Sequence, residues 1–297
     1  MDKHDFIPAS VPVQGGARVN ALTVDVEDYF QVSAFESRIG RDDWRSMAPR
    51  IERNVERILS LFEKEQARGT FFTLGWVARR FPHVVRAIVE AGHELASHGL
   101  EHKRVTQQTP DEFRADIDHA KKLLEDVSGQ PVVGYRAASY SIGEGNLWAH
   151  ELLAETGHRY SSSIYPVRHD LYGMPHAPRF AFRLHREGIV ELPVTTLRIA
   201  GRNFPCGGGG FFRLYPYAVS RWAFDRINTR ECQPGILYFH PWEIDPDQPR
   251  MRGLDVKTRF RHYLNLSRME HRVERLLTDF RWDRMDRVFA GSISASE

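Results

Sequence analysis

Cysteine is almost missing from this sequence of 297 residues. Its two copies, Cys206 and Cys232, form no close pair, which excludes a thiolate metal knuckle and a disulfide framework and leaves two free thiols. No apolar run approaches the roughly 18 residues that a membrane span needs. The opening stretch MDKHDFIPASVPVQGGARVN lacks the apolar core of a signal peptide, so residues 1–19 read as a flexible lead and the expected location is cytoplasmic. An excess of either charge is also absent: 41 basic residues face 39 acidic ones, for a net charge of +2. That balance carries no nucleic-acid footprint. Repeats, low-complexity tracts and linker-like segments are lacking too, so nothing divides the chain.

What is present is enough apolar material for a sizeable core, 41% hydrophobic and 11% aromatic. Ile51, Val55, Ile58, Leu59 and Phe62 fall at helical spacing between Pro49 and Gly69. A strand-like TFFTL follows at 70–74, then a helix around Val84–Val89 stopped by Gly92, and a short strand at 93–96. Further helices are expected over 110–127, 147–155 and 216–230, with strands at 132–135, 159–162, 189–192 and 235–240. Strands alternating with helices, each strand ending in polar residues, predict a parallel α/β arrangement, either open sheet or barrel. Residues 164–215 read as loop-rich apart from the strand at 189–192, residues 255–280 as two arginine-rich amphipathic helices, and the tail GSISASE as disordered.

The chain is organised around ALTVDVEDYF (21–30), an apolar strand ending in Asp25, Glu27 and Asp28. Side chains two apart on a strand share a face, so Asp25 and Glu27 are expected to point into one place. Two buried like charges require a cation or a shared proton; the alternative is that the strand has ended and the acids are solvated. In SHGLEH, one helical turn would set His98 and His102 on the same side, as two ligands of one metal. With a strand-end carboxylate they complete a His-His-carboxylate set, the composition of a catalytic zinc site rather than a structural one. Arg136 ends a strand and is suited to orient a carboxylate such as Asp25. His240 ends the apolar strand GILYFH, a place suited to acid–base work. His83, His119, His150, His262 and His271 sit in polar helical contexts and read as surface. The run CGGGGFFRLYP matches no phosphate loop and suggests close backbone approach to a ligand or a neighbouring loop. Phe211, Phe212, Tyr215 and Trp242 are candidates for stacking on sugar rings or for the core.

Five segments in this order, TVDVED, SHGLEH, YRAASYSIG, YSSSIYP and LYFHPWEID, resemble the motifs of the polysaccharide deacetylases that share the NodB-type catalytic domain. The wording VDVEDYFQ and the extension after HPWEID are most similar to bacterial deacetylases encoded with exopolysaccharide and exosortase systems. The resemblance implies a distorted (β/α)7-type barrel, a single domain over residues 20–245, with a C-terminal helical extension over 246–290 packed on it. It implies a divalent metal, zinc, held by Glu27, His98 and His102, with Asp28 replacing Glu27 if a bulge re-aims it. Asp25 would be the base, Arg136 its orienting partner and His240 the acid, while a backbone N–H near Tyr140 would stabilise the oxyanion and Trp242 would contact substrate. The implied substrate is an N-acetylated glycan, a polysaccharide or a lipid-linked oligosaccharide of exopolysaccharide biosynthesis. An allantoinase-like amidohydrolase acting on a cyclic ureide and a non-catalytic glycan-binding module are the alternatives. Lys257, Arg259, Arg261, Arg268, Arg272 and Arg275 allow a peripheral contact with the inner face of a membrane, while Val256, Phe260, Tyr263, Leu264, Leu266, Val273, Leu276 and Leu277 are expected to dock on the barrel. The oligomeric state is left open.

Overall fold

A computed structural model of the chain describes residues 6–9, 18–170, 172–186 and 188–294. Seven strands run in parallel, in chain order Val19–Val26, Thr70–Thr73, Glu94–Ser97, Gly134–Tyr135, Tyr160–Ser161, Val190–Glu191 and Ile236–Phe239. The first six pair in chain order, and the seventh returns to pair with the first, Ile236–Phe239 lying against Ala21–Val24. Helices link consecutive strands except the fifth and sixth, whose connection holds the strand Phe182–Arg183 and no helix among the described residues. The expected (β/α)7 barrel is therefore present, and its distortion has a location. No ladder joins the sixth strand to the seventh among the described residues. The segment Thr195–Gly208 fills that seam, with Tyr238 N donating to Gly207 O (2.8 Å) and Gly207 N to Thr195 O (3.0 Å).

The elements follow from local chemistry. Helix Pro110–Ser128 starts on a capping box, Thr109 with Glu112, has proline in its first turn and ends at Gly129 with φ 65°. Along the first strand the side chains alternate. Leu22, Val24 and Val26 join the outer core with Phe62, Phe71 and Phe239, while Ala21 joins a separate interior core with Phe72, Tyr160 and Ile236. Asp25 lies on the interior side by the same alternation.

The C-terminal extension is part of this packing. Leu266, Met269, Val273 and Leu276 of helix Leu266–Asp279 belong to the same core as the first strand. It is not only helical, since Arg281–Asp283 forms a strand parallel to Val19–Ala21. The expected disorder of the tail is corrected over 291–294: Ala290–Ser294 is helical, and Ile293 packs with Met285 and Phe289 in the interior core. Residues 295–297 lie outside the described residues, as do 1–5 and 10–17 of the expected flexible lead. Within that lead Ile7–Pro8 forms an edge strand on Phe182–Arg183. Another correction falls in the loop-rich stretch, which holds a hairpin of Thr196–Ile199 and Arg202–Pro205. Among the described residues no helix is long and apolar enough to cross a membrane.

The arginine-rich helices also differ from expectation. Val256 and Phe260 do not dock; they are 85% and 54% exposed. Lys257 and Arg261 bind Asp170, Arg272 donates to the carbonyls of Phe212 and Arg213, and Arg275 covers the Tyr217 ring.

Candidate active site

The first strand ends in a tight turn in which Glu27 N donates to Asp25 O (3.0 Å). Strand alternation was the expected reason for Asp25 and Glu27 to share a face, but this turn swings Glu27 toward the interior after the ladder has ended at Val26. Both carboxylates are buried. Asp28 goes elsewhere. Its Oδ2 accepts from the backbone N–H groups of Arg50 (2.6 Å) and Ile51 (3.0 Å), and its Oδ1 from Tyr29 N (2.8 Å). It thereby satisfies the orphan donors that open helix Ile51–Lys64. Burial pushes the Asp28 carboxyl up to about 6, against the pull of those three N–H groups.

Glu27, His98 and His102 offer ligand atoms that all lie within 4.8 Å of one another. The histidines do not converge on a helical turn as expected. SHGLEH is a loop, with Gly99 at φ 77° and His102 at φ 52°, and it sets the two rings 5.2 Å apart. Nδ1 of His98 stands 2.8 Å from the Arg136 carbonyl, which can only accept, so Nδ1 carries the proton and Nε2 keeps its lone pair. Burial holds this imidazole down at about 4, hence neutral. Glu27 Oε2 is buried 2.9 Å from His102 Nε2 and makes no further hydrogen bond among the described residues. Burial would raise Glu27, but His102, by its charge and a side-chain hydrogen bond, and then His240 lower it to about 2. A neutral imidazole with a free lone pair and an ionised carboxylate fit a divalent cation, and the donor set suits zinc.

Arg136 is fully buried and fully used. Nη1 donates to Asp25 Oδ1 (2.5 Å) and Thr23 Oγ1 (2.9 Å), Nε to Ser162 O (3.1 Å) and Nη2 to Ser162 Oγ (3.0 Å). Burial opposes its charge, but Asp25 more than offsets this and raises its pKa. The Ser162 loop is fixed in turn by Glu191, whose Oε1 accepts from the N–H groups of Ser163 and Ile164, both at 2.7 Å. His150 Nε2 lies 2.9 Å from the other Glu191 oxygen.

His240 lies across the site, with Nε2 3.4 Å from Glu27 Oε1 and 4.0 Å from Asp25 Oδ2. Its Nδ1 donates to Glu243 Oε2 (3.0 Å). Burial would lower the imidazole, but the Glu243 hydrogen bond and the charges of Glu27, Glu243 and Asp25 raise it to about 9. Arg213, itself buried, donates from Nε to Glu243 Oε1 (2.7 Å) and from its other nitrogens to the carbonyls of Arg261, His262 and Leu264. A chain of contacts thus runs from the extension to His240. The glycine run serves this contact, because a Cβ on Gly209 would lie 2.1 Å from Glu243 Oε2.

Trp242 is buried against the site instead of lining a sugar platform. Its ring stacks on His240 and on His262, and Nε1 is 3.5 Å from Glu27 Oε1. His262 and His150, expected at the surface, are buried. Tyr140 and Ser139 have φ 51° and 53°, and Tyr140 N already donates to Ala137 O (3.1 Å), which occupies the expected oxyanion donor. The buried Tyr140 hydroxyl has no hydrogen-bond partner among the described residues. A cleft of about 380 Å³ opens beside it, lined also by Trp148 and Tyr172.

Sequence reasoning missed Glu191, Glu243, Arg213 and His262. Glu243 had a signal, since it follows His240 by three residues within HPWE. Arg213 had none, because its partners besides Glu243 are backbone carbonyls of the extension.

These features define an α/β barrel with a carboxylate–histidine centre at the carboxyl ends of its parallel strands, where such folds place their sites. Comparison with known proteins narrows the class. Residues 42–161 match the polysaccharide deacetylase family model, and residues 162–290 match a domain of unknown function (DUF3473). Over residues 42–161 the chain is thus similar to the polysaccharide deacetylases. It is similar to the peptidoglycan deacetylase of Helicobacter pylori, 29% identical over 113 residues, which cover 38% of each chain. Among solved structures, a protein of Mycobacterium smegmatis described as a polysaccharide deacetylase superposes with TM-score 0.59 at 21% identity, covering 96% of this chain and 93% of that one. Puue allantoinase superposes with TM-score 0.58 at 16% identity, covering 93% and 91%. At these identities the two structures establish the barrel fold.

Proposed function

We propose that this protein is a metal-dependent N-deacetylase that releases acetate from an N-acetylated glycan. The observation that carries the reading is the division of labour at Asp25: Oδ1 is clamped by Arg136, while Oδ2 faces His240 beside the Glu27–His98–His102 cluster. Those three residues would hold the metal, and a bound divalent ion supplies Lewis acidity that polarises the acetyl carbonyl and acidifies water toward neutral pH. Asp25 takes the proton from the attacking water at Oδ2, with Arg136 keeping the carboxylate aimed. His240, held protonated by Glu243, gives its Nε2 proton to the departing amine nitrogen, so that the carbon–nitrogen bond breaks to a free amine and acetate. Trp242 and Glu243 keep that imidazole in place.

The substrate is a polysaccharide or a lipid-linked oligosaccharide, and exopolysaccharide biosynthesis is the setting proposed for it. The match to the Helicobacter pylori peptidoglycan deacetylase supports amide hydrolysis on a glycan over a binding module. The test is metal content together with acetate release on a panel of N-acetylated glycans, with allantoin as the competing substrate. Acetate release that requires metal and leaves allantoin intact is expected. Hydrolysis of allantoin alone would replace this reading with the ureide one.

A further inference from the structure

A second cleft, of about 910 Å³, opens next to the aromatic cluster that borders the site. Val167, in its lining, packs in one cluster with Tyr140 and Tyr238, whose rings each stand 5.6 Å from the Arg136 guanidinium. Arg168, Arg198 and Arg202 line this cleft, and among the described residues none of the three has an ion-pair partner. The contrast is with Arg136, Arg213 and Arg179, each held against a carboxylate.

The frame that carries these arginines is ordered. Arg198 and Arg202 stand on the hairpin that grows from the barrel seam. Its two-residue turn, Ala200 at φ 48° and Gly201 at φ 77°, has the two left-handed residues that match the twist of paired strands. Asn203, the cross-strand partner of Arg198 on the same face, donates from Nδ2 to Pro166 O (2.9 Å). Arg179, which also lines the cleft, ties the hairpin base through Thr196 Oγ1 (3.1 Å) and Glu231 (2.5 Å). Planar guanidinium groups on a fixed frame suit bidentate recognition of phosphate or carboxylate, and a cleft of this size admits a sugar-sized group.

We infer that the cleft is a subsite for an oxyanion group, phosphate or carboxylate, borne by the glycan. Anion binding itself stands apart from the proposed catalysis; only its assignment to the glycan rests on that reading. Two sources share this chemistry, a uronic-acid residue of the chain and the phosphate of a lipid carrier.

The experiment titrates the protein with inorganic pyrophosphate and, separately, with an oligogalacturonate, each at low and moderate salt. The arms are the wild type, Arg198→Gln, and the triple variant R168Q/R198Q/R202Q, with melting curves to establish folding. Saturable binding of one probe by the wild type is expected, weakening with salt. The dissociation constant should rise severalfold in Arg198→Gln and at least tenfold in the triple variant. Acetate release from a neutral N-acetylated oligosaccharide should be unchanged in both. The probe that binds identifies the source. Failure of the wild type to bind either probe at millimolar concentration, or equal binding by wild type and folded variants, overturns the inference. A wild type that binds an anion yet releases no acetate would count against the catalytic reading and leave the cleft standing.

Discussion

Exchanging the two neighbouring acids Glu27 and Asp28 for their amides should have opposite effects on metal binding. Asp28→Asn keeps one oxygen but turns an amide group toward N–H donors that now meet a carboxylate, at 2.6 and 3.0 Å from Oδ2. Hydrogen bonds to a charged acceptor contribute about 1.5–3 kcal/mol each. Burial raises this carboxyl to about 6, so its charge as such adds no net stability, and the loss comes from N–H groups left facing an amide N–H. A net loss of about 2–4 kcal/mol is expected, a melting temperature lower by several degrees, with metal still bound. Glu27→Gln removes a buried carboxylate whose Oε2 lies 2.9 Å from His102 Nε2. Stability measured in chelator should fall as well, because the folded chain holds this carboxylate ionised against His102 and His240, while metal per chain falls toward zero. The assay is elemental analysis after gel filtration beside thermal unfolding in chelator. Loss of metal in Asp28→Asn at unchanged melting temperature, with metal retained in Glu27→Gln, would transfer the ligand to Asp28 and refute the reasoning.

Asp25→Asn should bind metal normally and lose most acetate release; near-wild-type turnover would remove the base from Asp25. His98→Ala and His102→Ala should each weaken metal binding by at least ten- to a hundredfold, the scale known for outer-shell losses, and unchanged stoichiometry in both would dismantle the site. Glu94, buried against Thr70, Tyr160 and Asp286, has its carboxyl raised from 4.5 to about 7, by burial first and the Asp286 charge second. The folded chain therefore holds this proton more tightly than the unfolded one, and stability falls as pH rises from about 4.5 through 7. Glu94→Gln should flatten the fall in melting temperature between pH 5 and pH 8, and a slope equal to wild type would contradict the assignment. For the membrane contact, sedimentation with anionic liposomes should retain the wild type at low salt and lose it for Val256→Ser/Phe260→Ser; absence of binding at every salt level would exclude that surface.

Why some of this was legible in the sequence is a matter of distance along the chain. Asp25, Arg136 and His240 each end an apolar run, so the strand that delivers the residue also announces it. Glu27 was reached by strand alternation, whereas a turn at the strand end places it. The histidine pair was expected on a helix because i,i+4 spacing suits one; a loop with two left-handed residues brings the rings together instead. His262 sits among arginines on helix Val256–Tyr263, and its burial depends on Trp242 and Phe35 from remote segments. The hairpin at 196–205 turns on Ala-Gly, without the asparagine or aspartate that marks such turns.

The first strand also imposes a timetable. Until residues 236–239 have been synthesised, Ala21–Val24 lacks its partner on one side, and Val19–Ala21 waits longer still, for 281–283. Pairings this distant form late, because a long loop must close before any contact rewards it. Through most of its synthesis the strand that bears Asp25 is therefore an open, apolar edge, the kind that recruits other chains. Its two buried carboxylates then act against that hazard. While the barrel is open they are hydrated charges at the strand's end, and they lose their water only when Arg136 and the histidines are in place to meet them.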